Sequence, residues 1–403
     1  MTAARVAFLT VHACPLAPPG RGKSGGMNVH VRQLARALGK MGILVDIFTR
    51  SHGDEPEIIE YISDCVRVVH LPAGEAEVPL EELYGCLPQF LEGVEEFQRE
   101  NGLIYQAVHS HYWLSGWVGQ EMARNLNIPH LVTFHTLALI KMQSRAGENE
   151  PLQRQQTERE IMASASKIVA FSPHERDAMA RLYGADPKRI ELVPCGVDLS
   201  RFRPLDQEES RRRLGLNGDK VFLYVGRIES LKGVDLLVHT AAHLEIPQGV
   251  RVLVVGGDDG QNQEVERLRQ LAQDLDVAEV VDFVGQVDQE ELPVYYSAAD
   301  VCVVPSFYES FGLAALESMA CGTPVVASRV GGLSTIIQHG HTGYLKSWRC
   351  PEAFANSLEM ITSSKSLLES MGQAARRRAE GMGWDQVASA MAAHYESLAT
   401  ETA

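Results

Sequence analysis

Glu309 and Glu317, with seven residues between them, carry the most distinctive chemistry in this 403-residue chain. They stand in Pro305-Ser306-Phe307-Tyr308-Glu309-Ser310-Phe311-Gly312-Leu313-Ala314-Ala315-Leu316-Glu317, after the strand-like run Asp300–Pro305 and ahead of Cys321-Gly322-Thr323-Pro324-Val325-Val326. The spacing puts Glu309 just before a helix start and Glu317 about two turns inside it, so both can face the carboxyl edge of a sheet. Carboxylates so placed accept hydrogen bonds from pairs of sugar hydroxyls. An isolated pair of glutamates would instead be an ordinary solvated surface.

Two further segments suit phosphate. Gly226-Arg227-Ile228-Glu229-Ser230-Leu231-Lys232-Gly233 follows a strand, and its guanidinium and ammonium can converge on a diphosphate, one as a fork and the other as a point charge. A solvated loop would have the same composition. Near the N-terminus, Gly20-Arg21-Gly22-Lys23-Ser24-Gly25-Gly26-Met27-Asn28 leads into an amphipathic helix, where glycine permits close backbone approach and amides favour anionic oxygens. A flexible turn would use glycines too. The segment is not a dinucleotide fingerprint, because the G-x-G-x-x-G spacing and its later acidic residue are lacking. Gly22-Lys23-Ser24 matches the end of a Walker loop by chance, since Ala17 stands where the first glycine belongs.

These segments need parallel sheets to hold them. Strand-like runs at Arg5–Val11, Leu44–Thr49, Val66–Leu71, Ala107–Ser110, His130–Phe134 and Lys167–Phe171 alternate with helical patterns. Val31, Leu34 and Leu38 form the stripe that packs the first helix on its sheet. A second series runs through Lys220–Val225, Val250–Val255, Val280–Val284, Asp300–Pro305 and Pro324–Ala327. The predicted class is α/β, two Rossmann-like doubly wound domains facing across a cleft, with ligands beyond the carboxyl ends of the strands. The Pro- and Gly-containing stretch from Val193 to Leu205 is the linker. The expected domains are 1–203, 204–382, and a C-terminal helix, 383–403, that returns to the first.

Composition narrows the partners. Hydrophobic residues at 45% and charged residues at 22% are ordinary for a globular protein, and the formal charge of −15 argues against nucleic acid or an anionic membrane as partner. Arg211-Arg212-Arg213 and Arg376-Arg377-Arg378 are solvated helix faces with acidic neighbours. The seven cysteines are scattered, without a C-x-x-C pair, which suits a reducing compartment and argues against structural zinc. No signal-peptide pattern and no apolar run of about 18–20 residues appears, so a cytoplasmic location is expected. Nothing in the sequence specifies an oligomeric state.

The Glu-x7-Glu element with Ser-Phe-Gly, the following Cys-Gly-Thr-Pro-Val-Val, the Gly-Arg…Lys-Gly pair and the early Gly-Gly loop together resemble the retaining glycosyltransferases of family four, which have the GT-B fold. The resemblance covers essentially the whole chain. Ser24-Gly25-Gly26-Met27-Asn28-Val29, His109-Ser110-His111-Tyr112-Trp113-Leu114-Ser115-Gly116 and His135-Thr136-Leu137-Ala138 are most similar to the mycothiol-type enzymes that glycosylate inositol phosphate and, further off, to sucrose-phosphate synthases.

The resemblance implies a hexosyl transfer from a UDP-sugar, of glucose or N-acetylglucosamine, to a small phosphorylated polyol or sugar. It implies that Arg227 and Lys232 neutralise the diphosphate, Glu309 holds donor hydroxyls, Glu317 accepts from the ribose, and His135 lies by the donor sugar, unless it is a buried structural imidazole. Gly25, Gly26, Gly226, Ser310, Phe311, Gly312 and Leu313 complete the donor set, and Asn28, Tyr112, Thr136 and Arg154 the acceptor set. No metal or other cofactor is expected, because basic residues and amides take the metal's place. Leu80 stands where the mycothiol-type enzymes place a phosphate-binding lysine, and Met27-Asn28 where sucrose-phosphate synthases carry Gly-Gly-Gln. The acidic stretch Glu81–Glu100 differs from the basic amphipathic helix of lipid-modifying relatives. The alternatives are a transferase of the sucrose-phosphate or sucrose synthase type specifically, a non-catalytic nucleotide-sugar-binding subunit, an NAD-dependent enzyme, and a sugar-nucleotide epimerase.

Overall fold

Hydrophobic runs of four to seven residues, flanked by turns, become buried parallel strands in the computed structural model, which describes residues 4–18, 25–53, 58–216, 218, 220–245, 249–257 and 263–401. The chain forms two compact units. One runs to Pro194 and takes in the chain from Trp384 onward; the other is essentially Cys195–Gly383.

The N-terminal unit is built on strands β1 (Arg5–Leu9), β2 (Leu44–Arg50), β3 (Ile59–Ser63), β4 (Val66–Leu71), β5 (Ala107–His111), β6 (His130–Thr133), β7 (Lys167–Ala170) and β8 (Ile190–Leu192). Their order is β3-β4-β2-β1-β5-β6-β7-β8, parallel except for β3, which runs antiparallel along β4. Val31, Leu34 and Leu38 of the helix Gly26–Lys40 are fully buried, as the stripe predicts. Asp46 on β2 is buried and accepts from Arg5 at 2.8 Å, from Arg67 Nε at 2.7 Å and from the Tyr105 hydroxyl at 2.7 Å. This neutralised carboxylate ties three elements together beneath the sheet. The strand order reverses between β1 and β5, so the residues that follow β5 and β6 collect at a switch point.

The second unit has six parallel strands, β9 (Lys220–Val225), β10 (Val250–Val255), β11 (Val281–Gly285), β12 (Val301–Val304), β13 (Val325–Ser328) and β14 (Gly343–Lys346), ordered β11-β10-β9-β12-β13-β14. Here β9 and β12 are neighbours, with Phe222 beside Val301, and the order reverses between them. Topology therefore sets the turn after β9, with Lys232, next to the loop after β12, with Glu309.

Three short strands, β3, β8 and β14, are not in the sequence expectation; β3 is an edge strand whose Tyr61 is exposed, so it lacks the apolar run of a buried strand. β1 ends at Leu9 rather than Val11 because the Val11 amide donates to Ser115 Oγ at 3.0 Å. The units divide after Pro194 rather than near 204: Cys195 is buried, Val197 N donates to Met382 O, and Phe202 packs edge-on against Tyr296, all within the second unit. The helix Trp384–Glu401 packs on the helix Gly26–Lys40. Among the described residues no helix is long and apolar enough to cross a membrane.

Candidate active site

In the second unit the turn Ser230–Lys232 ends at Gly233, whose φ of +64° is left-handed. A side chain there would bring its Cβ to 2.5 Å from Pro305 O, so glycine lets the turn sit against the end of β12. Lys232 Nζ consequently reaches Glu309 Oε1 at 2.7 Å, and Ser306 Oγ donates to the same oxygen at 2.9 Å. Both side chains are mostly buried, at 22% and 14% exposure, so this pair is a cation and a carboxylate held ready at a strand end. Glu309 is also fixed from behind: Gly332 N donates to its carbonyl at 3.0 Å, and a Cβ on Gly331 would lie 1.8 Å from that oxygen.

Arg227 is not brought onto Glu309. Its exposed guanidinium pairs with Glu229 at 3.1 Å, while its carbonyl accepts from the Tyr224 hydroxyl at 2.7 Å. Burial and the nearby Glu309 and Glu229 push that hydroxyl well above its usual range. Gly226 follows β9 directly, and a Cβ there would lie 2.9 Å from the same hydroxyl. Ser310 and the buried Phe311 continue the loop, and Gly312, at φ +102°, caps the helix that Leu313 begins.

Glu317 lies in that helix, buried, and accepts from the Tyr296 hydroxyl at 3.0 Å. Burial raises its carboxyl to about 7, against the opposing pull of Tyr296 and Arg201. Near neutrality it can thus both donate and accept, which suits a pair of vicinal hydroxyls. Because the folded-state value lies above the unfolded one, its contribution to stability is full below about pH 4.5 and is lost as pH rises through about 7. Glu317→Gln should therefore be more stable than the parent at pH 8, by up to about 3 kcal/mol. Urea unfolding across pH measures this, and the difference should vanish below about pH 4.5.

In the N-terminal unit, Gly20–Ser24 lie outside the described residues. Gly25 N donates to Asn28 Oδ1 at 3.0 Å, and Asn28 Nδ2 donates to Cys14 O at 2.7 Å. The Gly25 amide and the buried Asn28 side chain are thus engaged within the loop, while Gly26, the first residue of the helix, is exposed.

Tyr112, Thr136 and Arg154 do come together. Arg154 is 3% exposed, stacks over the Tyr112 ring at 4.9 Å and donates to Thr136 Oγ1 at 3.0 Å. It also pairs with Glu158 at 2.7 Å and Glu150 at 2.9 Å, and Glu150 is shared with Lys141. Burial alone would lower the guanidinium, but Tyr112 and the two glutamates hold it above its ordinary value. Burial raises Glu158 in turn, against Arg154 and Tyr183.

His135 follows β6 at a left-handed φ of +61°, rare for a residue with a side chain. The ring is buried, shares a proton with His111 Nδ1 at 3.0 Å, and is held by burial well below its usual range. Although no metal-ligand cluster is legible in the sequence, His30, His111 and His135 converge, each offering a ring nitrogen within 4.8 Å of the others. They lie far apart along the chain, and only the fold gathers them. The same holds for Tyr296 behind Glu317 and for Glu150, Glu158 and Lys141 around Arg154. Spacing could have revealed only the i,i+4 pairing of Glu150 and Glu158 with Arg154.

A strand-end cation paired with a carboxylate at the switch point of the second doubly wound unit suits a phosphate-bearing, hydroxylated ligand. Comparison with known proteins agrees. The pattern described as Glycosyltransferase Family 4 matches residues 24–201, and that described as Glycosyl transferases group 1 matches residues 206–378. A D-inositol 3-phosphate glycosyltransferase of Geodermatophilus obscurus is 42% identical, over 99% of this chain and 90% of that protein. One of Actinosynnema mirum is 42% identical, over 97% of this chain and 96% of that protein. The solved sucrose-phosphate synthase of Thermosynechococcus elongatus is 38% identical with a TM-score of 0.90, over 98% of this chain and 99% of that one. The chain belongs to glycosyltransferase family four and has the GT-B fold; it is a retaining, nucleotide-sugar-dependent glycosyltransferase.

Proposed function

We propose that the protein transfers glucose or N-acetylglucosamine from a UDP-sugar to a small phosphorylated polyol or sugar of the inositol phosphate or fructose 6-phosphate kind, in the cytoplasm and without a metal. The observation that carries the donor half is the Lys232–Glu309 pair at 2.7 Å. An arriving diphosphate draws the ammonium away, which releases Glu309 to accept from sugar hydroxyls. Arg227, swinging from exposed Glu229, adds to the phosphate clamp, and Glu317 takes the ribose. The bond from the anomeric carbon to the diphosphate breaks as the acceptor oxygen attacks on the same face, and the departing phosphate oxygen takes the acceptor's proton. No protein nucleophile is needed, in contrast to two-carboxylate glycosidases.

The acceptor half is supported by Tyr112, Thr136 and Arg154, and by the names of the relatives. Leu80 supplies no cation, but Lys141 and Arg154 both pair with Glu150, two cations that an acceptor phosphate would recruit by displacing that carboxylate. The seven scattered cysteines, without a C-x-x-C pair, support a reducing compartment.

UDP-, ADP- and GDP-sugars tested against inositol phosphate, fructose 6-phosphate, inositol and fructose, with mass-spectrometric readout, examine this directly. A phosphorylated, hexosylated product from UDP-sugar is the expected result. Equal rates with the unphosphorylated acceptors would remove phosphate from the proposal. Donor binding without transfer or hydrolysis would favour a nucleotide-sugar-binding subunit instead.

A further inference from the structure

Three imidazoles meet in the N-terminal unit although transfer does not call for them as a set. His30 comes from the helix Gly26–Lys40, His111 from the end of β5, and His135 from the turn after β6. All three are buried, at 4%, 0% and 8% exposure. His111 Nδ1 and His135 Nε2 are 3.0 Å apart, and a nitrogen of His30 lies within 4.8 Å of the other two ligand atoms. A tetrahedral zinc ion, with Zn–N near 2.0–2.1 Å, sets its nitrogen ligands about 3.3 Å apart. The first pair is already close to that spacing, and the His30 ring has to close in by no more than about 1.5 Å to complete a three-nitrogen face.

Metal ligation needs an unprotonated imidazole nitrogen, and each of the three rings offers one to the same space. A cation on His111 Nδ1 would take the place of the proton that this nitrogen and His135 Nε2 now share, leaving the other nitrogen of His111 protonated. An all-imidazole donor set selects zinc, nickel, copper or cobalt over magnesium or calcium.

We propose that His30, His111 and His135 form a site for a single transition-metal dication of the zinc class, with solvent as the remaining ligand, and that occupancy stops transfer by withdrawing His135. The binding stands on the cluster alone; the arrest rests on the role by the donor sugar that the family resemblance implies for His135.

The full chain, stripped with chelator, is titrated with Zn2+ by calorimetry and with Co2+ by visible absorption, and transfer is assayed alongside. The parent should bind one ion, show tetrahedral cobalt bands without a thiolate charge-transfer band, which separates the site from the cysteines, and lose activity as it fills. His30→Phe, whose ring can occupy the space beside Phe171 and Trp384, should keep metal-free activity and bind the ion at least about tenfold more weakly. No stoichiometric binding by the parent, or equal binding by His30→Phe, would overturn the site. Binding that depends on His30 but leaves transfer undiminished would overturn the role of His135 instead. The cobalt spectrum of the parent decides the coordination even if the variant fails to fold.

Discussion

Lys232→Met is expected to lower kcat/KM for transfer by about 10²–10³-fold, the usual cost of removing one preorganised group from developing transition-state charge. The effect is large because Lys232 has two tasks. In the proposed mechanism it neutralises the leaving diphosphate, and before that it holds Glu309 at 2.7 Å alongside Ser306. Without the ammonium a carboxylate at 14% exposure faces the donor uncompensated, so donor binding weakens as well as turnover. Steady-state kinetics with calorimetric donor titration, on protein shown to be folded by circular dichroism, measures both. Arg227→Met should cost less, since its guanidinium is exposed and already paired with Glu229. Wild-type rates in Lys232→Met would sink the donor-site assignment.

Arg154→Met is expected to destabilise the N-terminal unit by about 3–5 kcal/mol, because it strands a buried charge. The Glu158 side chain is fully buried and accepts from Arg154 Nε at 2.7 Å, from the Tyr183 hydroxyl at 2.5 Å and from Ala138 N at 3.1 Å. Through Ala138 this carboxylate also fixes the start of the helix that follows His135 and Thr136. Urea unfolding should show the loss, and Arg154→Met combined with Glu158→Gln should recover much of it, because the residual cost is the unpaired carboxylate. A loss under about 1 kcal/mol would mean that Arg154 is not the counter-ion. The variant should also raise the KM for a phosphorylated acceptor more than for its unphosphorylated form.

Lys232 and Glu309 were legible as neighbours because each follows a buried strand run, and in a parallel sheet the carboxyl ends of adjacent strands share one edge. The long runs at β1, β2, β9 and β10 announce themselves by continuous apolar composition, whereas β3, β8 and β14 are short or lie at sheet edges, where side chains are partly exposed. Linear order could not show that Arg227 would pair with Glu229, that Asn28 would close on Gly25 and Cys14, or that Glu150 would sit between Lys141 and Arg154. Those outcomes depend on loop geometry. The division after Pro194 was hidden for a similar reason: proline and glycine mark the linker, but the packing of Val197 and Phe202 decides which unit owns it.

The anomeric configuration of the product made from UDP-α-glucose with inositol phosphate or fructose 6-phosphate, read from proton couplings by NMR, tests the central claim most directly. An α-linked, phosphorylated product released in step with UDP, and missing with Lys232→Met, is the expected result. A β-linked product, or free glucose with the acceptor untouched, would contradict it.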